Sequence, residues 1–281
     1  MLAVTIDDSV KHIKSEPLLI LVSVSNREAA AARARNRVDK RQLARYKKTK
    51  AYKGLSKKER EEVALEYAPQ EVSEYVLGSG KRSVAELIEF EVRNSSGKIV
   101  KFKPRVLAGS YNKREAMTFG AGSFVGIYFG IEGRELARLA AGPYTIKASI
   151  DTTEEKGMWR GRVASEPWAF ELIASKRAAG TLERLSRKGD YYRLDLRFKK
   201  LKKVAKRVIK KDPASVRGWI HKGDAEAGLG RPADALSSFF FAEKYYYEDV
   251  ERRKPPIVES PIYILRRIRA MEKKLNIIVE E

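Results

Sequence analysis

Through residue 174 the chain consists of short apolar blocks separated by turn residues. After that point its apolar positions recur every three or four residues. The first pattern is that of strands and the second that of helices. "AVTI" and "PLLILVSVSN" predict two strands within residues 1–25, the second ending at Asn26. "ELIEFEVRN" and "KIVKFKPRVLAG" flank the turn signal "SSG" and predict a hairpin. "GSFVGIYFG" reads as a strand whose glycines suggest bulges or close approach. "GPYTIKASI" and "RGRVASEPWAFELI" predict further strands on either side of an acidic loop that ends at Gly157. Short strands at this spacing, with no helical period between them, argue for an antiparallel sandwich.

Residues 27–80 interrupt that pattern. "NREAAAARARNRVDKRQLARYKK" favours helix by composition but has no wide apolar stripe, so it reads as an exposed helix or a mobile arm. A second helix is better marked: Ser56 and Glu59 make a capping box, "KKEREEVALEYA" follows, and Pro69 closes it. "LGSGKRS" then reads as a flexible joint.

Beyond residue 174, Leu201, Val204, Ala205, Val208 and Ile209 recur at i, i+3, i+4, i+7 and i+8, which makes one apolar helix face. Asp212–Pro213 ends this helix. A second begins near Ser215 and stops at "GLGR", and a third runs from Pro232 to about Tyr247. A last amphipathic helix spans 260–275, with Ser260 as cap and Pro261 in its first turn. The third helix holds Phe239, Phe240, Phe241, Tyr245, Tyr246 and Tyr247, which at 100° per residue point almost all around it. The expectation is that Phe239 and at least three of the others pack, with a stacking platform as the minor alternative.

Two resemblances follow from these residues. "RLAAGPYTIKASID…MWRGRVASEPWAFEL" resembles the last two strands of the immunoglobulin-like domains common in bacterial and archaeal exported proteins, with Gly142 and Tyr144 at the positions of a tyrosine corner. "SEPLLILVSVSN" resembles the second strand of that fold, although about 55 residues here separate the second and third strands. In the helical part, Trp219, Gly223, Gly230, Ala235, Phe239 and Ala242 stand at the spacing of a tetratricopeptide repeat. Thirty-four residues earlier a more degenerate unit has Leu185, Gly189, Tyr192, Leu201, Ala205, Val208 and Pro213 at equivalent positions. Lys222, Glu226, Pro232 and Tyr247 depart from that pattern. The resemblance implies small residues at Gly223 and Ala235 where helices cross, and a left-handed turn at Gly230. Both families present surfaces to protein partners.

The fold class expected is therefore a multidomain β + α chain. Residues 1–174 form an antiparallel immunoglobulin-like sandwich with a basic helical insert at about 27–80, and residues 175–281 form tetratricopeptide-like helical hairpins.

Composition changes this picture in one respect. The 281-residue chain carries a formal net charge of +21. From residue 27 to 62 there are 14 basic and 5 acidic residues, a net of +9; from 176 to 211 there are 15 and 3, a net of +12. The whole excess thus lies in two segments. "KKLKKVAKRVIKK", residues 199–211, has no acid at all, whereas a merely solvated helix mixes signs. Self-repulsion of this kind is relieved by an anionic partner. The candidate binding residues are Lys199, Lys200, Lys202, Lys203, Lys206, Arg207, Lys210 and Lys211 in one segment. In the other they are Arg33, Arg35, Arg37, Arg41, Arg45, Lys47 and Lys48.

Cysteine is absent and histidine occurs only as His12 and His221, which excludes disulfides, thiolate sites and histidine-rich metal sites. Glutamine is scarce, and the composition is thermophile-like. No apolar run approaches the ~20 residues of a membrane span. "PLLILVSVS" after Lys11 and Lys14 loosely mimics a signal peptide, but Asp7, Asp8, Glu16 and the interrupting serines favour a buried strand. A leader removed before this numbering starts would place the chain outside the cytoplasm; otherwise it is cytoplasmic.

No serine-hydrolase elbow, P-loop or dinucleotide fingerprint is present, and the adjacent acids Glu154–Glu155 and Glu280–Glu281 do not flank a substrate. His221, between Trp219 and Gly223, reads as structural or surface rather than catalytic. The functional expectation is a non-enzymatic binding or scaffold protein with a protein partner and no cofactor, able to join a larger assembly. The alternative is a binder of an anionic polymer or surface, such as nucleic acid, polysaccharide or lipid.

Overall fold

A computed structural model describes residues 2–7, 11–26, 40–66, 75–78, 82–101, 104–107, 117–120, 123–154, 156, 158–174, 181–252 and 261–277. The chain is a mixed β and α protein. One sheet has the order β1 (Leu2–Asp7), β3 (Leu18–Asn26), β8 (Phe124–Ile131), β6 (Arg105–Val106), each neighbour antiparallel. The other is built on β9 (Gly142–Asp151). One edge of β9 pairs with β5 (Ile88–Asn94); the other pairs with β11 (Trp168–Ile173) and then β10 (Arg162–Ala164). β2 (Lys11–Ile13) adds to β11 in parallel. β4 (Tyr75–Leu77) and β7 (Met117–Phe119) form a separate antiparallel pair.

Period-two alternation explains this assembly. Along β3 every second residue is buried, so Leu18, Ile20, Val22 and Val24 enter one apolar cluster. Ile127, Phe129 and Ile131 of β8 join them, as do Val92, Tyr144, Ile146, Ala148, Ile150, Phe170 and Leu172 of the opposite sheet. "PLLILVSVS" is thus a central, paired strand. The hairpin expected over 86–109 forms only in part. Val100 N–H still bonds to Val92 O, but beyond it the chain crosses to the other sheet, where β6 pairs with β8. Pro167, which lacks an N–H, lies in the break between β10 and β11.

The insert holds a helix over 40–46 (α1), then α2 (Lys50–Gly54) and α3 (Lys57–Glu66). The capping box forms as expected: Ser56 N–H donates to Glu59 Oε2 at 2.7 Å and Glu59 N–H to Ser56 Oγ at 3.4 Å. Pro69 and residues 27–39, with Arg33, Arg35 and Arg37, lie outside the described residues. A second Ser-x-x-Glu spans Ser83, the last residue of the expected joint, and Glu86, the first of the expected strand, and caps the short 3-10 helix Val84–Leu87, whose Val84, Ala85 and Leu87 are buried.

A short helix, α4 (Gly133–Leu136), follows β8. The C-terminal part runs α5 (Leu182–Leu194), α6 (Phe198–Lys211), α7 (Val216–Gly228), α8 (Pro232–Arg252) and α9 (Ile262–Lys274), each packed on the next. α8 continues five residues past its expected end at Tyr247. Phe239 of α8 is fully buried against Gly223 of α7, where an added Cβ would lie 2.5 Å from its ring. Gly230, at φ +73°, makes the turn between α7 and α8. Phe240, Phe241 and Tyr247 are exposed, while Tyr246 packs on the α7–α9 cluster. The aromatic run is therefore less buried than its spacing suggested.

The helices close directly onto the first sheet. Tyr191 and Leu194 of α5 pack with Leu107, Leu19 and Tyr128. Gly130 of β8 permits this approach, since a Cβ there would come within 2.6 Å of Tyr191 and 2.7 Å of Leu107. Around this contact Asp195 pairs with Arg105 (2.6 Å) and lies 2.6 Å from Arg197 Nε, and Arg197 also pairs with Glu132. The hydrogen bond from Arg197 holds the Glu132 carboxyl below its ordinary pKa. Arg184 reaches Glu16 at 3.2 Å.

Candidate functional site

α6 buries Leu201, Val204, Ala205 and Val208 against α5 and α7, with Ile209 half-buried. The opposite side is then necessarily polar, and here it is entirely cationic. Lys199, Lys200, Lys203, Lys206, Arg207, Lys210 and Lys211 are exposed. Lys200 lies over the Tyr192 ring at 5.6 Å. Among the described residues, none of Lys199, Lys203, Lys206, Arg207, Lys210 and Lys211 forms an ion pair. No acidic residue occupies the first turn of α6, and Lys199 and Lys200 stand there against the helix dipole. Local helix stability would favour acids at that end, so Lys199 and Lys200 do not serve the helix itself, whereas Lys210 and Lys211 in the last turn suit the dipole.

Lys202 is the exception within the candidate set. It turns toward α7 and pairs with Glu226 at 2.9 Å. Glu226 is buried and also accepts from Ser238 Oγ of α8 at 2.7 Å, with Lys222 at 3.9 Å. Lys202 therefore compensates a buried carboxylate and belongs to the packing between helices.

In the insert, Arg41, Arg45, Lys47 and Lys48 are exposed on and just after α1. Tyr46 and Tyr52 meet edge to face at 5.6 Å, and Arg60 lies over Tyr52. Among the described residues no hydrogen bond or ion pair joins α1–α3 to α6.

The sequence held an aromatic platform only as the minor alternative and did not place Trp219 in it. Trp219 of α7 stacks on Phe241 of α8 (centroids 4.5 Å, planes 23° apart) and lies 6.4 Å from Tyr245 at 24°. Lys222 Nζ stands 4.8 Å over the Trp219 ring and Lys244 Nζ 5.7 Å from Tyr245. The signal was present in the run 239–247, but which rings emerge depends on how α8 is rotated against α7.

His221 is buried. Its Nε2–H donates to Asp190 Oδ1 at 2.9 Å, and Arg217 holds the other oxygen of that carboxylate. Its Nδ1 has no partner among the described residues, and the ring covers Gly189. Burial first, then Arg217 and Arg193, push its pKa down to about 3, so the ring is neutral at physiological pH. One turn further along α7, Asp224 accepts from Tyr263 Oη at 2.7 Å and pairs with Arg267 at 3.2 Å. Burial, then Asp224, raises the Tyr263 pKa. A cavity of about 290 Å³ beside this pair is lined by Arg193, Phe198, Asp224, Arg267, Met271 and Lys274, among others.

Among the described residues no helix is long and apolar enough to cross a membrane, and no group of three His, Asp or Glu side chains is placed to hold a metal ion. No family model matches the chain, and no curated protein matches it in sequence.

Proposed function

We propose that this chain is a non-enzymatic binding and scaffold protein that docks an anionic partner on the outer face of α6. The observation that carries this reading is the row of Lys199, Lys203, Lys206, Arg207, Lys210 and Lys211, exposed on one helix and without a counter-charge among the described residues. Neighbouring like charges on a helix each cost a few tenths of a kcal/mol, and a polyanion would relieve all of them together.

In this reading residues 1–174 are an immunoglobulin-like sandwich and 175–281 a pair of tetratricopeptide-like hairpins with a capping helix. The bond from Tyr144 Oη to Ala140 O (3.0 Å), beside Gly142 at φ +139°, supports the first assignment. The crossing at Gly223 and the turn at Gly230 support the second. Both frameworks suit a protein that presents surfaces. An acidic protein surface and a polyanionic polymer both fit the charge. The absence of any acid between Lys199 and Lys211 favours the polymer.

The test is retention on heparin and binding to duplex DNA across a salt series. If about 6 phosphates are neutralised, log affinity should fall with log salt at a slope near −5. Lys199→Glu, Lys203→Glu, Lys206→Glu and Lys210→Glu together should abolish that retention; unchanged retention would discard the proposal. Lys202 is left intact because its loss would strand Glu226.

A further inference from the structure

We infer that the channel between α6 and α8, floored by α7, binds single-stranded nucleic acid, with phosphates on the α6 lysines and bases on the Trp219–Phe241–Tyr245 shelf. This rests on the reading of α6 as an anion-docking face and narrows its ligand.

The geometry brings the two chemistries to one place. Glu226 receives Ser238 from α8 and Lys202 from α6, so that face of α7, buried at Glu226, lies between the two outer helices. Lys222 and Trp219 occupy the same face, four and seven residues earlier. The shelf stands at the C-terminal end of α6: Gly218, next to Trp219, packs on Val208 and Ile209, and the Trp219 indole N–H donates to Pro213 O at 2.8 Å. Along α6, Lys206 and Lys210 follow Lys202 at successive turns toward that end.

The three rings are nearly parallel. Phe241 and Tyr245 are 6.5 Å apart with planes 21° apart, and both are within stacking range of Trp219. Phe241 is 43% exposed, an apolar ring left in water. Lys222 and Lys244 flank the shelf.

Cations alone attract any polyanion, and exposed rings alone suit any apolar partner. A single strand of nucleic acid carries both a charge and a flat π face in every unit, and aromatic residues beside a basic groove exploit that combination. In a duplex the base faces are already stacked, and sulfated polysaccharides and lipid headgroups have no such face to offer.

The experiment measures fluorescence anisotropy of the full chain with an oligothymidylate and with an abasic phosphodiester of the same length. The two probes have the same charge and differ only in their rings. The oligothymidylate is expected to bind about tenfold more tightly. Phe241→Ala with Tyr245→Ala, neither residue fully buried, should bring it to the abasic level and leave heparin affinity within about twofold. Equal affinity of the unaltered chain for both probes would overturn the inference, as would indifference to the double substitution. If the α6 charge reversal then abolishes binding of both probes, the anionic face stands and only the shelf assignment falls. If the reversal changes nothing, both assignments fall.

Discussion

The sheets and the helices exclude water from different things. In the sheets, one large cluster of apolar residues fills the interior, and Asn26, Thr152 and Ser165, buried among them, bond to backbone atoms. In the helices, apolar burial is divided among smaller clusters. α7 carries His221, Asp224 and Glu226 inside, each connected to side chains of neighbouring helices. A strand finds its neighbour through its backbone, because the ladder of N–H and C=O groups fixes partner and register together. A helix has already used those groups internally, so its neighbours must be specified by side chains. The buried polar links of α7 supply that specification.

Removing apolar volume should damage both regions most. Phe239→Ala is expected to cost about 3–5 kcal/mol in urea unfolding, and Ile20→Ala in β3 about 2–5 kcal/mol. A loss under 1 kcal/mol at Phe239 would mean that the ring contributes little to the core.

Acid separates the regions more finely. His221 has a folded pKa near 3 against 6.5 in the unfolded chain, so between these values the unfolded state binds the extra proton. Stability therefore falls as the pH drops through that window, by at most about 1.4 kcal/mol per unit, or about 2–3 kcal/mol from pH 6.5 to 4.5. His12, in β2, is also lowered by burial and adds in the same direction. Chemical denaturation at both pH values, repeated with His221→Gln, should recover most of the loss; an unchanged slope would assign it elsewhere.

Ser238→Ala, which takes one donor from buried Glu226, should cost about 1–2 kcal/mol. The fourfold α6 charge reversal should change stability by less than about 1 kcal/mol, since it touches only exposed groups. Calorimetry checks both.

Much of the sheet region was legible because its signal is local. The alternation in 18–26, the blocks at 124–131 and 142–151, and the apolar face of α6 each lie within one element. The Ser83–Glu86 cap was equally local, but its glycine-rich surroundings masked it. The contacts that join the halves were not legible. Arg105 with Asp195 and Arg197 with Glu132 link residues far apart in sequence, and nothing near any of them distinguishes a partner from another exposed charge. Of the candidate set on α6, the free cations were readable from composition, whereas the inward turn of Lys202 required knowing that Glu226 is buried behind it.

Gly130 has a consequence for how the molecule comes apart. Because no side chain intervenes there, α5 rests on β8 at contact distance, and Tyr191 completes the outer side of the strand whose inner side supplies Ile127, Phe129 and Ile131 to the core. Melting the sheet removes the seat of the helices, and detaching the helices uncovers a central strand. Heat should accordingly dismantle the two portions in a single cooperative event.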